Sequence, residues 1–437
     1  MNIIIKDDLS AEDNAMIQAL YSRSGLSVLD HIKKVEDVGS TNFMSNFYIG
    51  YGHKSIGDCG TTTIYIENVS ILAAKAIQDS PLYSGQESST RYIDFQSRPM
   101  IDPVNSATSK EILNEWMNIY TEYQPIVIAE LKRQNPKSNG INQTVYDKAI
   151  QSRCFDIMRG FLPSGATTQL SWTTSLSQAK DRIDDLLQHP LLEVRNIANE
   201  MLLQLQSKYP SSFNYKLKPD IIKYGVKYSE YIHYAESVEY NGFNINFKTL
   251  NFDFKQLDIE LMEHRPKGKM LPKHLKKYGT VLFEFLLDYG SFRDIQRHRN
   301  GLCEMPLLTT QYGFNEWYLD NLPDCVIDEI NARIGNQLHK LDLLLCNKYE
   351  LQYYIPMGFN VVTTLSYDLP QIAYVLDLRS SLTVHPTLRN IINKIGVVIQ
   401  NEIPMLQLYM DKSDDELCLK RGLQDITFKE TKIIPIE

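Results

Sequence analysis

Cysteine is scarce and scattered: the six, Cys59, Cys154, Cys303, Cys325, Cys346 and Cys418, include no C-x-x-C pair and no histidine at metal spacing nearby. This argues against a disulfide framework and a zinc ribbon, and reduced thiols in a cytoplasmic protein are expected. No stretch reaches the roughly 20 apolar residues that span a bilayer; even 281–287 is interrupted by Glu284. The opening residues 1–8 turn acidic after a brief apolar run, so no signal peptide is expected. Positive charge is not in excess either. A formal net charge of -8 disfavours nucleic acid and acidic membranes as partners, while a local basic patch can still hold a small anion. There is no G-x-G-x-x-G, P-loop or G-x-S-x-G, which removes Rossmann oxidoreductases, P-loop kinases and serine hydrolases as easy readings. The nine histidines show no H-E-x-x-H or comparable spacing, so no metal is expected.

What is present is an ordinary globular composition, 43% hydrophobic and 22% charged, in a chain of 437 residues. That length suggests two or three domains. Apolar spacing over 11–34 predicts helices broken at Gly25. The β-branched run Thr61 to Ile66 predicts a strand ending at Asn68, and Val69, Leu72, Ala73, Ala76 and Ile77 mark one apolar helix face that stops before Pro81. The order returns later: Thr280 to Asp288 reads as a strand, Gly290 as the break, and Ser291 as the cap of a short helix running into Arg297.

Short matches recur at nearly one offset. Arg195-Asn196-Ile197-Ala198-Asn199 returns as Arg389-Asn390-Ile391-Ile392-Asn393, Tyr209-Pro210 as Ile403-Pro404, His189-Pro190 as His385-Pro386, and Leu162-Pro163 as Ile355-Pro356. This predicts a tandem duplication, with domains at 1–215 and 216–437. The first copy carries an extra segment around 101–142, where Ile112, Trp116, Ile119, Tyr120 and Tyr123 predict a packing helix.

The chemistry concentrates in two stretches. The loop 82–92 contains Glu87, Ser89 and Arg91 at alternate positions, which an extended backbone would turn to one side and present to a polar anion. The same residues are ordinary turn formers, and Arg91 could instead pair with Asp94 at a surface. The second stretch is Arg297-His298-Arg299. Together they resemble the signature Arg-His-Arg-x-x-Ser-x-Asn-Glu-x-Ser-x-Arg-Tyr of the flavin-dependent thymidylate synthases (the ThyX type), cut in two. Residues 79–92 keep the second part and lose Arg-His-Arg, and 297–312 do the reverse.

The resemblance implies an α+β fold with two tandem ThyX-like units paired as a pseudo-dimer, and two chains forming a homodimer that acts as a pseudo-tetramer. It implies that Glu87, Ser89 and Arg91 hold deoxyuridylate, and that Arg159, where the second copy has Gln352, meets its phosphate. Arg379 would polarise the uracil, making Arg379 and Ser89 the expected catalytic residues. FAD would be met by Arg297, His298, Arg299, His53, Ser55, Ser84 and Gln86, with methylenetetrahydrofolate and NADPH as co-substrates. The sequence departs from the family after Trp172-Thr173: Ser175 and Ser177, or Asp368 and Pro370 in the second copy, stand where flavin-holding asparagine and arginine are expected. The expected activity is C5 methylation of deoxyuridylate. The alternatives are flavin-dependent alkylation of another pyrimidine nucleotide, and an inactive nucleotide-binding paralogue. A basic run, Arg265, Lys267, Lys269, Lys273, Lys276 and Lys277, is read as a solvated face rather than a folate-tail site.

Overall fold

A computed structural model describes residues 8–50, 54–215, 217–232, 240–413 and 417–423. His53, and residues 1–7 of the segment read for a signal peptide, lie outside them. The chain is α+β and divides into two compact units, one of Met1–Val69, Ala73–Glu87 and Thr168–His233, the other of Ser70–Leu72, Ser88–Thr167 and Tyr234–Glu437. Among the described residues no helix is long and apolar enough to cross a membrane, and no cluster of three or more His, Cys, Asp or Glu side chains could hold a metal ion.

In the first unit the break at Gly25 falls as expected, between helices Ala11–Tyr21 and Val28–Val38. Ser10 caps the first, and Ser27 with Asp30 forms a capping box on the second. Their apolar stripes meet in a small core of Met16, Ile17, Ile32 and Val35. Strand β1 (Thr61–Ser70) does not end at Asn68, which takes a left-handed φ of 58° inside it; asparagine tolerates that conformation better than most residues. The helix that follows, Ile71–Gln78, is buried on every side rather than along one face, so Lys75 and Gln78 are enclosed with the apolar residues. Strand β2 (Thr167–Ser175) pairs with β1, and helices Leu176–Leu186 and Leu192–Lys208 follow it.

The second unit holds a four-stranded antiparallel sheet in the order β3 (Asn244–Asn246), β4 (Thr280–Asp288), β6 (Asn360–Asp368), β5 (Leu302–Cys303). β4 and β6 pair over their full length, Thr280 opposite Asp368 and Asp288 opposite Asn360, and their burial alternates. A period of two with one face covered locks the register, because a one-residue slip would expose Phe283, Phe285 and Leu365. The helix Tyr289–Ile295 starts directly after β4, capped by Asp288 rather than by Ser291, whose backbone N donates to the Asp288 carboxylate over 2.8 Å. Helices Leu369–Arg379 and Pro386–Glu402 follow β6, so the strand–helix and strand–helix–helix order found around β1 and β2 occurs again.

Two stretches that match in sequence also meet within this unit. Ser164 N donates to Ile355 O (3.0 Å) and Met357 N to Leu162 O (2.9 Å); Gly165 N donates to Tyr353 O and Gly358 N to Gly160 O, both at 2.8 Å. Each bond maps onto its partner by adding 193 to one residue and subtracting 193 from the other, the reciprocity of a two-fold contact. Glycine is needed at both ends: a Cβ on Gly165 would lie 2.7 Å from Ile101 O, and one on Gly358 2.8 Å from Gly160 O.

The extra segment forms helices Ala107–Glu122 and Gln124–Gln134 and packs as expected, with Trp116 fully buried and Gln337 of the helix Asp324–Leu343 donating to Ile112 O over 2.8 Å. The basic run departs from a uniformly solvated face. Arg265 is buried and donates to Asp377 over 2.6 Å, and Lys276 and Lys277 pair with Asp368 and Asp258.

Candidate anion-binding site

In the first unit, residues 83–87 run along β2. Tyr83 OH donates to Ser171 O (2.6 Å), Ser171 N to Gln86 O (2.8 Å) and Thr173 N to Ser84 O (2.8 Å). Gly85 allows this approach, since a Cβ there would collide with Ser171 O. Ser84 and Gln86 remain exposed, as does Ser55 on the short helix Lys54–Gly57. Glu87 turns the other way. Its carboxylate lies 3.2 Å from Lys75 Nζ with both side chains enclosed, and Gln78 bridges the pair, its Oε1 accepting from Lys75 (2.7 Å) and its Nε2 donating to Glu87 (2.8 Å).

The remaining predicted residues belong to the second unit. The alternation that would have aligned Ser89 with Arg91 does not occur. Ser89 O accepts from both Tyr92 N and Ile93 N, so the chain coils there, and Ser89 Oγ accepts from Arg91 N. Arg91 pairs with Asp156, not Asp94. Its Nε and Nη2 donate to the two carboxylate oxygens at 2.6 and 3.1 Å, and Nη1 donates to Thr383 O at 2.9 Å.

Arg159 is fully buried. Its Nη2 donates to Ser291 Oγ (2.8 Å), its Nε reaches Tyr318 OH (3.4 Å), and Asp288 and Asp294 lie 3.7 and 3.9 Å away. Tyr318 OH donates to Asp288 over 2.7 Å. Ser291 Oγ continues to Thr387 Oγ1 (2.7 Å) and His385 Nδ1 (3.4 Å), and His385 Nε2 lies 3.1 Å from Asp156 O. A continuous polar chain therefore joins Arg159 to the Arg91–Asp156 pair. Burial, followed by the Arg159 charge, holds the His385 imidazole neutral well below its ordinary range.

The Arg-His-Arg stretch belongs to the same cluster through Arg379 and Asp294. Arg379, at the end of the helix Leu369–Arg379, donates Nε–H to His298 Nε2 (2.7 Å) and Nη2–H to Asp294 O (2.7 Å). Burial and then the Arg379 charge lower the His298 pKa to about 3, and burial also lowers that of Arg379. Arg297 is exposed, with Nε 4.0 Å from Asp294, and Arg299 Nη1 donates to Arg297 O over 3.3 Å. Burial alone would raise the Asp294 pKa, yet it is lowered because Arg297, Arg379, Arg159 and Arg91 surround it. The guanidiniums of Arg91, Arg159, Arg297, Arg379 and Arg421 outnumber the carboxylates of Asp156, Asp288 and Asp294 by two. Such an excess suits a phosphate or a carbonyl-rich ring.

Sequence reasoning missed Asp294, Asp156, Ser291, Tyr318, His385 and Arg421 as site residues. One signal was available: Arg293-Asp294-Ile295-Gln296 echoes Lys75-Ala76-Ile77-Gln78 at the same place after a strand, so each copy carries a buried cation there and only the second adds a carboxylate. The caps explain the departures after the tryptophan. Ser175 accepts from Gln178 N and Asp368 from Gln371 N, so both serve as helix N-caps.

Comparison with known proteins agrees at the level of family. Residues 8–211 match the family model described as thymidylate synthase complementing protein. Over most of its length the chain is similar to a UPF0159 protein of Chlamydia pneumoniae, 24% identical over 86% of this chain and 82% of that one. A UPF0159 protein of Chlamydia muridarum is 24% identical over 80% and 77%, and one of Thermoplasma acidophilum is 22% identical over 90% and 92%.

Proposed function

We propose, from the premise that residues 8–211 belong to the thymidylate synthase complementing protein family, that this protein methylates a uridylate at C5, most simply converting deoxyuridylate to thymidylate. The observation that carries the reading is the convergence of Arg91 and Arg159 from the first half of the chain with Arg297, His298 and Arg379 from the second around Asp294. Each half lacks part of the signature, and this cluster draws on both. Two tandem sequence copies, 1–215 and 216–437, paired as a pseudo-dimer, are the arrangement we infer, and the reciprocal hydrogen bonds between 160–165 and 353–358, both within the second compact unit, support it. A homodimer of chains would then stand in for the family tetramer.

Of the two arginines that the resemblance assigns to the nucleotide's phosphate end, Arg91, with its side chain 13% exposed against 2% for Arg159, is the more accessible. Arg159 is too enclosed for direct contact and acts by holding Asp288 and Asp294 in place. Arg379 stabilises negative charge on the uracil as C5 becomes nucleophilic, and the neutral His298 holds its guanidinium without competing for that charge. Ser89 Oγ is tied to the backbone of Arg91 and sets the turn that presents it. In the second unit the exposed Arg297, with Arg299 and His298 beside it, would meet an FAD's phosphates and ring; Ser55, Ser84 and Gln86, exposed in the first unit, are further flavin contacts that the resemblance implies. FAD would supply the hydride, with methylenetetrahydrofolate as carbon donor and NADPH as reductant.

The test is release of tritium from deoxyuridylate labelled at C5, with thymidylate formed, in the presence of all three. A second reading is favoured by the use of Ser175 and Asp368 as helix caps where flavin-holding residues are expected. It is either alkylation of another pyrimidine nucleotide or nucleotide binding without turnover. Binding of deoxyuridylate with neither tritium release nor thymidylate would favour it.

A further inference from the structure

Asp156 is almost completely enclosed and shared by two guanidiniums. Arg91 takes both carboxylate oxygens, while Arg421, from the short helix Leu419–Leu423, donates Nη1–H to Oδ2 and Nη2–H to Arg91 O at 3.1 Å. The two cations are not equally placed. The Arg421 side chain is 5% exposed and lies over the Tyr92 ring, 5.1 Å from its centroid, whereas Arg91 is 13% exposed and spends its Nη1 on the Thr383 carbonyl. One buried carboxylate can neutralise only one of them. Arg421 Nε, moreover, finds no acceptor among the described residues.

We propose that Arg421 is a positioning residue that holds Asp156 when Arg91 turns to an anionic ligand, so that the affinity of this site for phosphate is set by the C-terminal helix. The physical reason is charge bookkeeping in a medium of low dielectric. With Arg421 absent, Arg91 would leave an unpaired buried carboxylate behind each time it engaged a ligand, and would stay on Asp156 instead. Nothing in the family signature includes this residue, which lies beyond the matched residues 8–211. The inference rests on the proposed reading only in naming deoxyuridylate as the ligand.

The experiment is calorimetric titration of the full chain and its variants with deoxyuridylate and, separately, with inorganic phosphate, alongside circular dichroism and thermal unfolding. Arg421→Ala is expected to weaken both ligands about tenfold or more while the far-ultraviolet spectrum is kept. Arg421→Lys should recover part of the loss. The deciding variant is Arg421→Ala with Asp156→Asn, which restores a free guanidinium and should bind phosphate more tightly than Arg421→Ala alone; a merely structural role predicts that the double variant is worse. Unchanged affinity in folded Arg421→Ala, or no recovery in the double variant, would overturn the inference. Wild-type protein that binds phosphate but not deoxyuridylate would sink the functional reading and leave the inference standing, and protein that binds neither would sink both.

Discussion

The Nε–H of Arg379 points at His298 Nε2 over 2.7 Å, a cation hydrogen-bonded to an imidazole that must be unprotonated at that nitrogen. Burial and the neighbouring guanidiniums supply the reason, holding the His298 pKa near 3 against an unperturbed value near 6.5. The bond thus belongs to the neutral form at physiological pH, and acid works against it.

Its pH dependence has a definite sign. Between about 6.5 and 3 the unfolded chain binds a proton at this histidine and the folded chain does not, so His298 lowers stability as pH falls through that window. The slope from this one group is at most about 1.4 kcal/mol per pH unit. Urea unfolding at pH 7, 6 and 5 should show His298→Gln losing less stability on acidification than the wild type. Parallel slopes would contradict the assignment.

Arg159→Ala removes the cation between Asp288 and Asp294 and leaves Ser291 and Tyr318 without their donor. A buried charge stripped of its partner costs about 3–5 kcal/mol. Chemical denaturation should show a loss of that size, and Arg159→Met should be nearly as damaging. A stability change under 1 kcal/mol would mean that the carboxylates are satisfied otherwise.

Lys75 and Glu87 form an enclosed ion pair bridged by Gln78. Lys75→Met should destabilise by about 3–5 kcal/mol, and adding Glu87→Gln should recover part of it, because the orphaned charge is then gone. Additive losses in the double-mutant cycle would refute direct coupling.

Arg379→Ala and Arg91→Ala are each expected to abolish thymidylate formation without abolishing folding, because both guanidiniums are less enclosed than Arg159. Turnover retained in either variant, measured by tritium release, would remove the methylation assignment.

Gly165→Ala and Gly358→Ala each place a methyl against a carbonyl oxygen within 3 Å. Either should cost about 1–3 kcal/mol through backbone displacement. Full native stability in both would mean that the reciprocal pairing is looser than the observed bonds.

The local level of this molecule was legible in its residues. The run Thr280 to Asp288 read as the strand β4, apolar spacing marked the first two helices with their break at Gly25, and matched motifs at nearly one offset anticipated that 162–163 and 355–356 would play equivalent parts. The split signature pointed to Arg91, Arg297 and His298, and the wider resemblance to Arg379. These are properties of neighbours along the chain, and side-chain period is set by backbone geometry alone. What only the tertiary structure decided is which charge each guanidinium answers. Arg91 chose Asp156, 65 positions away, over Asp94; Glu87 turned inward to Lys75; and Arg421 arrived from the far end of the chain to share a carboxylate. Long-range pairing of this kind leaves no periodic trace, because a buried ion pair is selected by desolvation and packing, which depend on everything folded around it.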